Sequence, residues 1–445
     1  MTLFGTAGIR GDVRERLTPE LALAVGRAAG ADAADRDSTP EFVIARDGRE
    51  TGPGLCAALE AGLESAGAAV RRAGVLPTPA LAFASRGRRG VMVTASHNPP
   101  TDNGLKLFAD GEEYGDDAEA RTESRVAEPD PPAAWDEWGS AKRIDPLQDY
   151  RDRIADYAKG HGSALDGIKL VVDCGNGMAG RATPQVLGAL GADVTGLNAN
   201  VDGHFPARGS KPTPETLGDL QAFLADDEGS GSGDETDDPT LGIAHDGDAD
   251  RVVFLDSAGE IVHEDTVVAI LAEHYTRASD ADDPVVVTTP NASSRIDERV
   301  AAAREAGNAN TTVVFAAEPW KHIHTALGPW IDGVASAAVF SRLVAERGLA
   351  TLREPIAERP YRKVSVDCPD DRKATVMERL ATTLPEAFPD ADVDTEHGVR
   401  LVLDEGWVLV RPSGTEPKVR VYVESEQVEE LRERAVAAVE TAVDS

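Results

Sequence analysis

Three aspartates stand at alternate positions in "DGDADR": Asp246, Asp248 and Asp250, followed by Arg251. Carboxylates this close raise one another's pKa and cannot all ionise without a cation between them. An all-oxygen donor set suits Mg²⁺, which keeps water or phosphate as its other partners. A calcium loop does not fit. Its sixth position needs Gly and holds Arg251, its twelfth needs Glu and holds Ser257, and strand-like runs flank the motif. The alternative is a purely structural acidic turn. Arg251 beside a metal loop would suit a phosphoryl group.

A second stretch, "VMVTASHNPP", ends a short apolar run on Ser96 and His97 and then stiffens the chain with two prolines. Val91 to Val93 read as a buried strand, and Asn-Pro-Pro forces a defined turn. Ser96 then lies at the carboxyl end of a strand, where α/β domains bind ligands. The same residues also suit a plain turn. A third stretch, "RPSGTEPKVRVYVE", gathers Arg411, Ser413, Gly414, Thr415 and Arg420. Hydroxyls, a bare backbone N–H and guanidinium forks are the inventory of a phosphate cradle, although Ser-Gly-Thr is also a common turn. A fourth, "GNGMAG" (175–180), matches the dinucleotide fingerprint and has Asp202 beyond it, but sits mid-chain with no nicotinamide or flavin chemistry elsewhere and reads rather as a tight structural turn.

The elements that must position these residues follow an alternating pattern. Thr18-Pro19-Glu20 starts a helix with proline at its first position. "FVIARD" reads as a strand, "GLCAALEAGLESAG" as a helix and "GVMVTA" as the next strand, a doubly wound α/β arrangement. A proline-rich stretch from 127 to 146 leads to a second α/β unit opening with "IKLVVDC". The polar "ADDEGSGSGDETDDPT" (225–240) reads as a solvated surface loop, and a third unit begins near "LGIAHDGDADRVVFLD". From about Pro355 adjacent strands joined by short turns suggest an antiparallel α+β domain. The expected boundaries are 1–145, 146–240, 241–354 and 355–445.

Composition sets the outer limits. At 445 residues the chain exceeds the ~250–300 at which single cores stop growing, so several domains are expected. It carries 78 acidic against 45 basic residues, a formal net charge of −33, and only nine lysines. Such a surface repels nucleic acid and anionic membranes. Because the acid is spread along the chain, it points to an enzyme of a salt-loaded cytoplasm, where self-repulsion is muted. No apolar run spans a membrane, and the N-terminus lacks a signal-peptide layout. Cys56, Cys174 and Cys368 show no metal or disulfide spacing and read as reduced core residues.

Taken in order, "FGTAGIRG", "TASHNPPTDNGLK", "DGDADR" and "RPSGTEPKVRVYVE" resemble the four motifs of the α-D-phosphohexomutase superfamily, over nearly the full length. The resemblance implies three similar doubly wound α/β domains plus a C-terminal α+β domain around a central cleft. It implies that Ser96 carries a transferable phosphoryl group, held with Mg²⁺ by Asp246, Asp248 and Asp250, one ion per subunit. A sugar bisphosphate would be both intermediate and activator. Arg10 and Lys106 match the basic residues near the transferring group, Lys106 as general acid/base, with His97 in support. Arg251, Arg411, Ser413, Gly414, Thr415 and Arg420 would grip phosphate. The expected partner is a phosphosugar, on a monomer or homodimer that binds neither nucleic acid nor membrane.

The resemblance points first to a hexose 1-/6-phosphate mutase. An amino-sugar or pentose phosphate mutase, and a phosphosugar-binding regulatory protein, stand as alternatives. One stretch departs from the family pattern. The sugar-reading loop, usually Gly-Glu-x-Ser-Gly-His, is here "AEPWKH". Glu318 and His322 match, as sugar ligand and proton-transfer imidazole. Trp320 and Lys321 replace a small hydroxyl and a glycine, so Trp320 could stack on a sugar or obstruct the pocket. Upstream, "REAGNANTTVVFAAEP" runs straight through where the family has a further strand and helix, which implies a trimmed third domain.

Overall fold

The computed structural model describes residues 3–5, 8–227, 241–303, 311–404, 406–414 and 416–444. Two compact units form, Met1–Val267 with Thr311–Leu352, and Val268–Asn310 with Arg353–Ser445.

The first unit is built on two sheets. The larger runs in the order Ile9–Asp12, Asp102–Ala109, Arg89–Val93, Glu41–Arg46, Ala69–Val75, Ala141–Arg143, with Glu112–Glu113 paired outside this path to Asp102–Ala109. Its inner strands are parallel and, as short β-branched runs, are buried along most of their length. Helices Pro19–Ala34 and Gly52–Ser65 contribute Val25, Ala29, Leu55, Leu59 and Leu63 to the core over Phe42, Ile44, Val91 and Val93. Thr18 caps the first helix by accepting from the Leu21 N–H, with proline at its first turn as the sequence predicts.

The doubly wound pattern has one antiparallel member. Asp102–Ala109 pairs antiparallel with both Arg89–Val93 and Ile9–Asp12. Sequence reading passed over this strand because it opens on the polar residues Asp102, Asn103 and Gly104 immediately after a turn. The smaller sheet runs Val252–Leu255, Leu241–His245, Lys169–Asp173, Asp193–Leu197. Its last three strands are parallel and its first is antiparallel. A hairpin, Thr311–Glu318 with Lys321–Ile323, completes the parts of this unit that concern the site.

The second unit carries the strand Asp283–Thr288 and a five-stranded antiparallel sheet in the order Tyr361–Asp367, Lys418–Ser425, Gly406–Pro412, Val399–Leu403, Asp392–Asp394. Helices Lys373–Ala387 and Val428–Asp444 bury Val376, Leu380, Leu431, Ala435 and Val439 against Val408, Val410, Val419, Val421 and Val423. This is the α+β arrangement expected after Pro355.

All three cysteines are free; Cys174 and Cys368 are buried, whereas Cys56 is partly exposed. Most of the polar loop, 228–240, lies outside the described residues, as do residues 304–310 of the tract read as trimmed. Among the described residues no helix is long and apolar enough to cross a membrane.

Candidate active site

Two loops at the carboxyl ends of parallel strands meet in the first unit. One follows Arg89–Val93 and carries Ser96; the other follows Leu241–His245 and carries the three aspartates. Ser96 Oγ donates to Asp246 Oδ2 at 2.7 Å, across 150 residues of chain. One carboxylate oxygen from each of Asp246, Asp248 and Asp250 lies within 4.8 Å of the others, and all three residues are buried. Lys106, on the antiparallel strand the sequence reading missed, reaches Asp250 Oδ2 at 2.7 Å and Asp248 Oδ2 at 3.5 Å.

Backbone geometry makes the contact possible. A Cβ on Gly247 would sit 2.6 Å from the Ser96 carbonyl oxygen, and one on Gly177 would sit 2.8 Å from the Gly247 carbonyl oxygen. Only glycine lets the three loops stack this closely. The Met178 N–H donates to that same Gly247 carbonyl. "GNGMAG" is therefore a tight turn with the metal loop packed on it, and the N–H groups of Gly175, Asn176, Gly177 and Met178 are already spent within the fold. Ser96 itself has φ +52°, Ala249 in the metal loop +62° and Trp320 +62°. Side chains other than glycine, Asn or Asp seldom adopt this region, and such strain collects at functional sites.

The charges are arranged with gaps. Asp248 Oδ1, Asp250 Oδ1, Arg10 Nε and Arg251 Nε are buried and have no hydrogen-bond partner. Such groups cost free energy until a ligand satisfies them. Burial, then the neighbouring Asp250 and Asp248, push the Asp246 carboxyl well above its usual range. Burial would raise Asp250 too, but Lys106, Lys321 and Arg251 hold it well below. Lys106 is drawn down by burial and up by Asp250, Asp248 and Glu113, which prevail. An ammonium in the interior replaces the surface ion pair that is the plain alternative for such a lysine. The orphaned carboxylate oxygens fit a small hard divalent cation, and the orphaned guanidinium nitrogens fit a phosphoryl group.

Further residues support this centre. His97 Nδ1 is 3.2 Å from Ser96 Oγ. Burial, with Arg251 and Arg10 nearby, lowers its pKa to about 4, so the ring is neutral. Arg10 lies opposite Gly104 across the sheet. Thr78, unmarked in the sequence, donates its N–H to the Asp248 carbonyl and its hydroxyl to Asp248 Oδ2 at 2.6 Å. Asp47 and Arg49, in "ARDGRE", were also passed over. Their only signal was a charged pair at the carboxyl end of a buried strand.

The hairpin of Thr311–Glu318 and Lys321–Ile323 joins the centre through Trp320, whose carbonyl accepts from the Val252 N–H, and through Lys321, whose charge acts on Asp250. Trp320 packs against the cluster of Leu217, Leu220 and Val253. The indole is only partly buried there, and it also lines a cavity of about 170 Å³ together with Lys211, Thr213 and Arg251. Lys321 Nζ lies 3.3 Å from Glu318 Oε2.

His322 is buried, with Nδ1 2.9 Å from Ser336 Oγ. The Ser336 hydroxyl gives its one proton to the Asp332 carbonyl. The histidine therefore donates from Nδ1 and keeps a lone pair on Nε2. Burial lowers its pKa to about 3.

Arg411, Ser413, Gly414 and Arg420 belong to the second unit, and Thr415 lies outside the described residues. Arg411 and Arg420 face each other directly across neighbouring strands. Like charges so placed are unfavourable and invite an anion. Arg420 donates to Glu416 Oε2 at 2.9 Å while its buried Nε has no partner, and Ser413 Oγ accepts from the Glu416 N–H. Arg411 also lines a cavity of about 1070 Å³ together with Thr289, His397 and Arg400.

Comparison with known proteins agrees with this geometry. Residues 1–132 match the model of phosphoglucomutase/phosphomannomutase α/β/α domain I, residues 148–259 that of domain II, and residues 364–441 that of the C-terminal domain. A phosphopentomutase of Thermococcus kodakarensis is 38% identical over 99% of this chain and 98% of its own. A probable phosphoglucosamine mutase of Methanopyrus kandleri is 39% identical over 97% and 95%. In fold, the chain is similar to a phosphoglucomutase/phosphomannomutase family protein of Burkholderia thailandensis, with a TM-score of 0.82 at 24% identity over 99% and 97% of the two chains. The chain belongs to the α-D-phosphohexomutase superfamily of phosphomutases.

Proposed function

We propose that this protein moves a phosphoryl group between the 1-position and the terminal hydroxyl of a sugar phosphate by way of phosphorylated Ser96. The observation that carries the reading is the Ser96 hydroxyl held 2.7 Å from a buried aspartate triad with Lys106 beside it. Asp246, Asp248 and Asp250, with an oxygen on Ser96, would hold Mg²⁺, which when bound supplies Lewis-acid polarisation of a phosphoryl oxygen.

The residues of the chain do the remainder. The P–O bond to Ser96 breaks, Oγ leaving with a proton from Lys106, as a P–O bond forms at the sugar hydroxyl, whose proton passes to a base, and a sugar bisphosphate results. After the sugar turns over, its other phosphate returns to Oγ, whose proton goes back to Lys106, and the product hydroxyl takes back the proton held by the base. The Lys106 ammonium donates to the phosphoryl oxygens and supplies a proton. His322, neutral and with Nε2 free to accept, is the base on the sugar-reading hairpin. Arg10 and Arg251 bring unspent N–H donors to phosphoryl oxygens. Arg411, Ser413, Gly414 and Arg420 would grip the phosphate that is not reacting. A sugar bisphosphate would also recharge Ser96 when the phosphate is lost.

One observation narrows the substrate. Lys321 neutralises Glu318 and places an ammonium in the sugar-reading loop. With that carboxylate already paired, an ammonium on an amino sugar would find no free counter-charge on Glu318. We therefore favour a neutral hexose or pentose phosphate over glucosamine phosphate. The division at 1–145, 146–240, 241–354 and 355–445, and a salt-loaded cytoplasm as the setting, belong to the same reading. Coupled assays with glucose, mannose, ribose and glucosamine 1-phosphates, with Mg²⁺ and catalytic bisphosphate, test it. A neutral sugar should give the highest kcat/KM; a preference for glucosamine phosphate would overturn the choice of substrate.

A further inference from the structure

Arg49 is fully buried, and each of its five side-chain N–H donors has a partner. Nε donates to Asp47 Oδ2 at 3.0 Å. Nη1 donates to the carbonyls of Pro99 at 2.6 Å and Asp102 at 2.9 Å. Nη2 donates to the carbonyls of Ser96 at 2.9 Å and Asn98 at 2.8 Å. Four carbonyls of the loop from 96 to 102 thus converge on one planar cation. The Phe205 ring packs 5.2 Å from the guanidinium carbon.

The partner of Arg49 holds the other end of the same residue. Asp47 Oδ2 also accepts from the Thr94 hydroxyl at 2.7 Å, and Thr94 Oγ1 accepts from the Ser96 N–H at 2.9 Å. Ser96 is therefore gripped at its N–H through Asp47 and Thr94, and at its carbonyl by Arg49. A residue held at both ends cannot leave the φ of +52° it adopts, and that conformation aims Oγ at Asp246. The Asp47–Arg49 pair is internally compensated, so its contribution is geometric rather than a field on the phosphoryl group.

We propose that Arg49 is a positioning residue for phosphoryl transfer, fixing the backbone of the Ser96 loop so that Oγ stays aligned with the aspartate triad. The inference rests on the reading that Ser96 carries the phosphoryl group. A guanidinium is required because an ammonium has three donors and no planar fork, so it cannot serve four carbonyls and a carboxylate together.

The test compares wild type with Arg49→Lys, which keeps the charge opposite Asp47. Ser96 labelling is followed from ³²P-labelled glucose 1,6-bisphosphate, alongside steady-state kinetics, Mg²⁺ titration and thermal melting. A misplacement of about 1 Å costs on the order of 10²-fold in rate, so kcat and the labelling rate should fall by about that factor. KM should stay within about threefold, since no substrate contact is removed, while the Mg²⁺ midpoint reports any loosening of Ser96 from the triad. Arg49→Ala should regain rate with millimolar guanidinium and not with methylammonium.

A folded Arg49→Lys protein that labels and turns over like wild type overturns the role of Arg49 alone. Wild type that turns over without ever labelling Ser96 overturns the phosphoserine reading and this role with it. If neither Arg49 variant folds, Thr94→Val severs the other grip on the same residue, and an unchanged kcat there decides against the brace.

Discussion

At the scale of single residues, the centre is a balance of buried charge. Lys106 is the ammonium closest to Asp250, and removing one partner of a buried pair costs about 3–5 kcal/mol. Lys106→Met should therefore melt well below wild type without Mg²⁺ and regain more on its addition than wild type does, because the metal replaces the cation nearest the triad, with only the more distant Arg251 and Lys321 left beside it. Equal Mg²⁺-induced shifts in Tm would contradict this. His322 gives a second expectation. Its folded pKa of about 3 lies below the ordinary 6.5. Above pH 6.5 neither the folded nor the unfolded chain is protonated there. As pH falls below that value the unfolded chain takes the proton first, so stability is lost down to about pH 3, on the order of a few kcal/mol. His322→Gln should flatten the dependence of Tm on pH between 6.5 and 4; an unchanged slope would show that His322 is not the group responsible.

At the scale of elements, the site is a stack of loops at the carboxyl ends of strands. Gly247→Ala would drive a methyl group into the Ser96 carbonyl and should cost on the order of 10²-fold in kcat through displacement of the serine loop. Near-normal kcat would mean the stack has slack. Much of this was legible beforehand. Alternation of apolar runs with capped helices marked the elements on either side of Ser96, and the i, i+2, i+4 aspartates announced a charge problem before any geometry was known. The residues that escaped did so for physical reasons. The strand Asp102–Ala109 begins on turn-forming residues, so its period was hidden. Asp47 and Arg49 look like any surface pair until their burial is seen. Thr78 matters only because a segment 170 residues away folds onto it. Trp320 read as a pocket residue, and it does line a cavity beside Arg251, but periodicity could not say that its inner face would also pack on Leu217, Leu220 and Val253.

At the scale of the whole molecule, a net charge of −33 opposes compaction, and dissolved ions relieve it. At ~1 M salt the Debye length falls to ~3 Å, so Tm should rise with KCl into the molar range. Greatest stability in dilute buffer would remove the argument for a salt-loaded setting. The same acidity makes the sites that keep basic side chains informative: Arg10, Lys106 and Arg251 in one unit, and Arg411 and Arg420 in the other, are those we propose to meet phosphate against the prevailing charge. The account turns on one covalent event, so it is tested most directly by incubating the protein with labelled sugar phosphate and Mg²⁺ and mapping the phosphopeptides. Label on Ser96, lost on chase with unlabelled substrate at the rate of turnover, is the predicted result. Rapid isomerisation with Ser96 never labelled would contradict it.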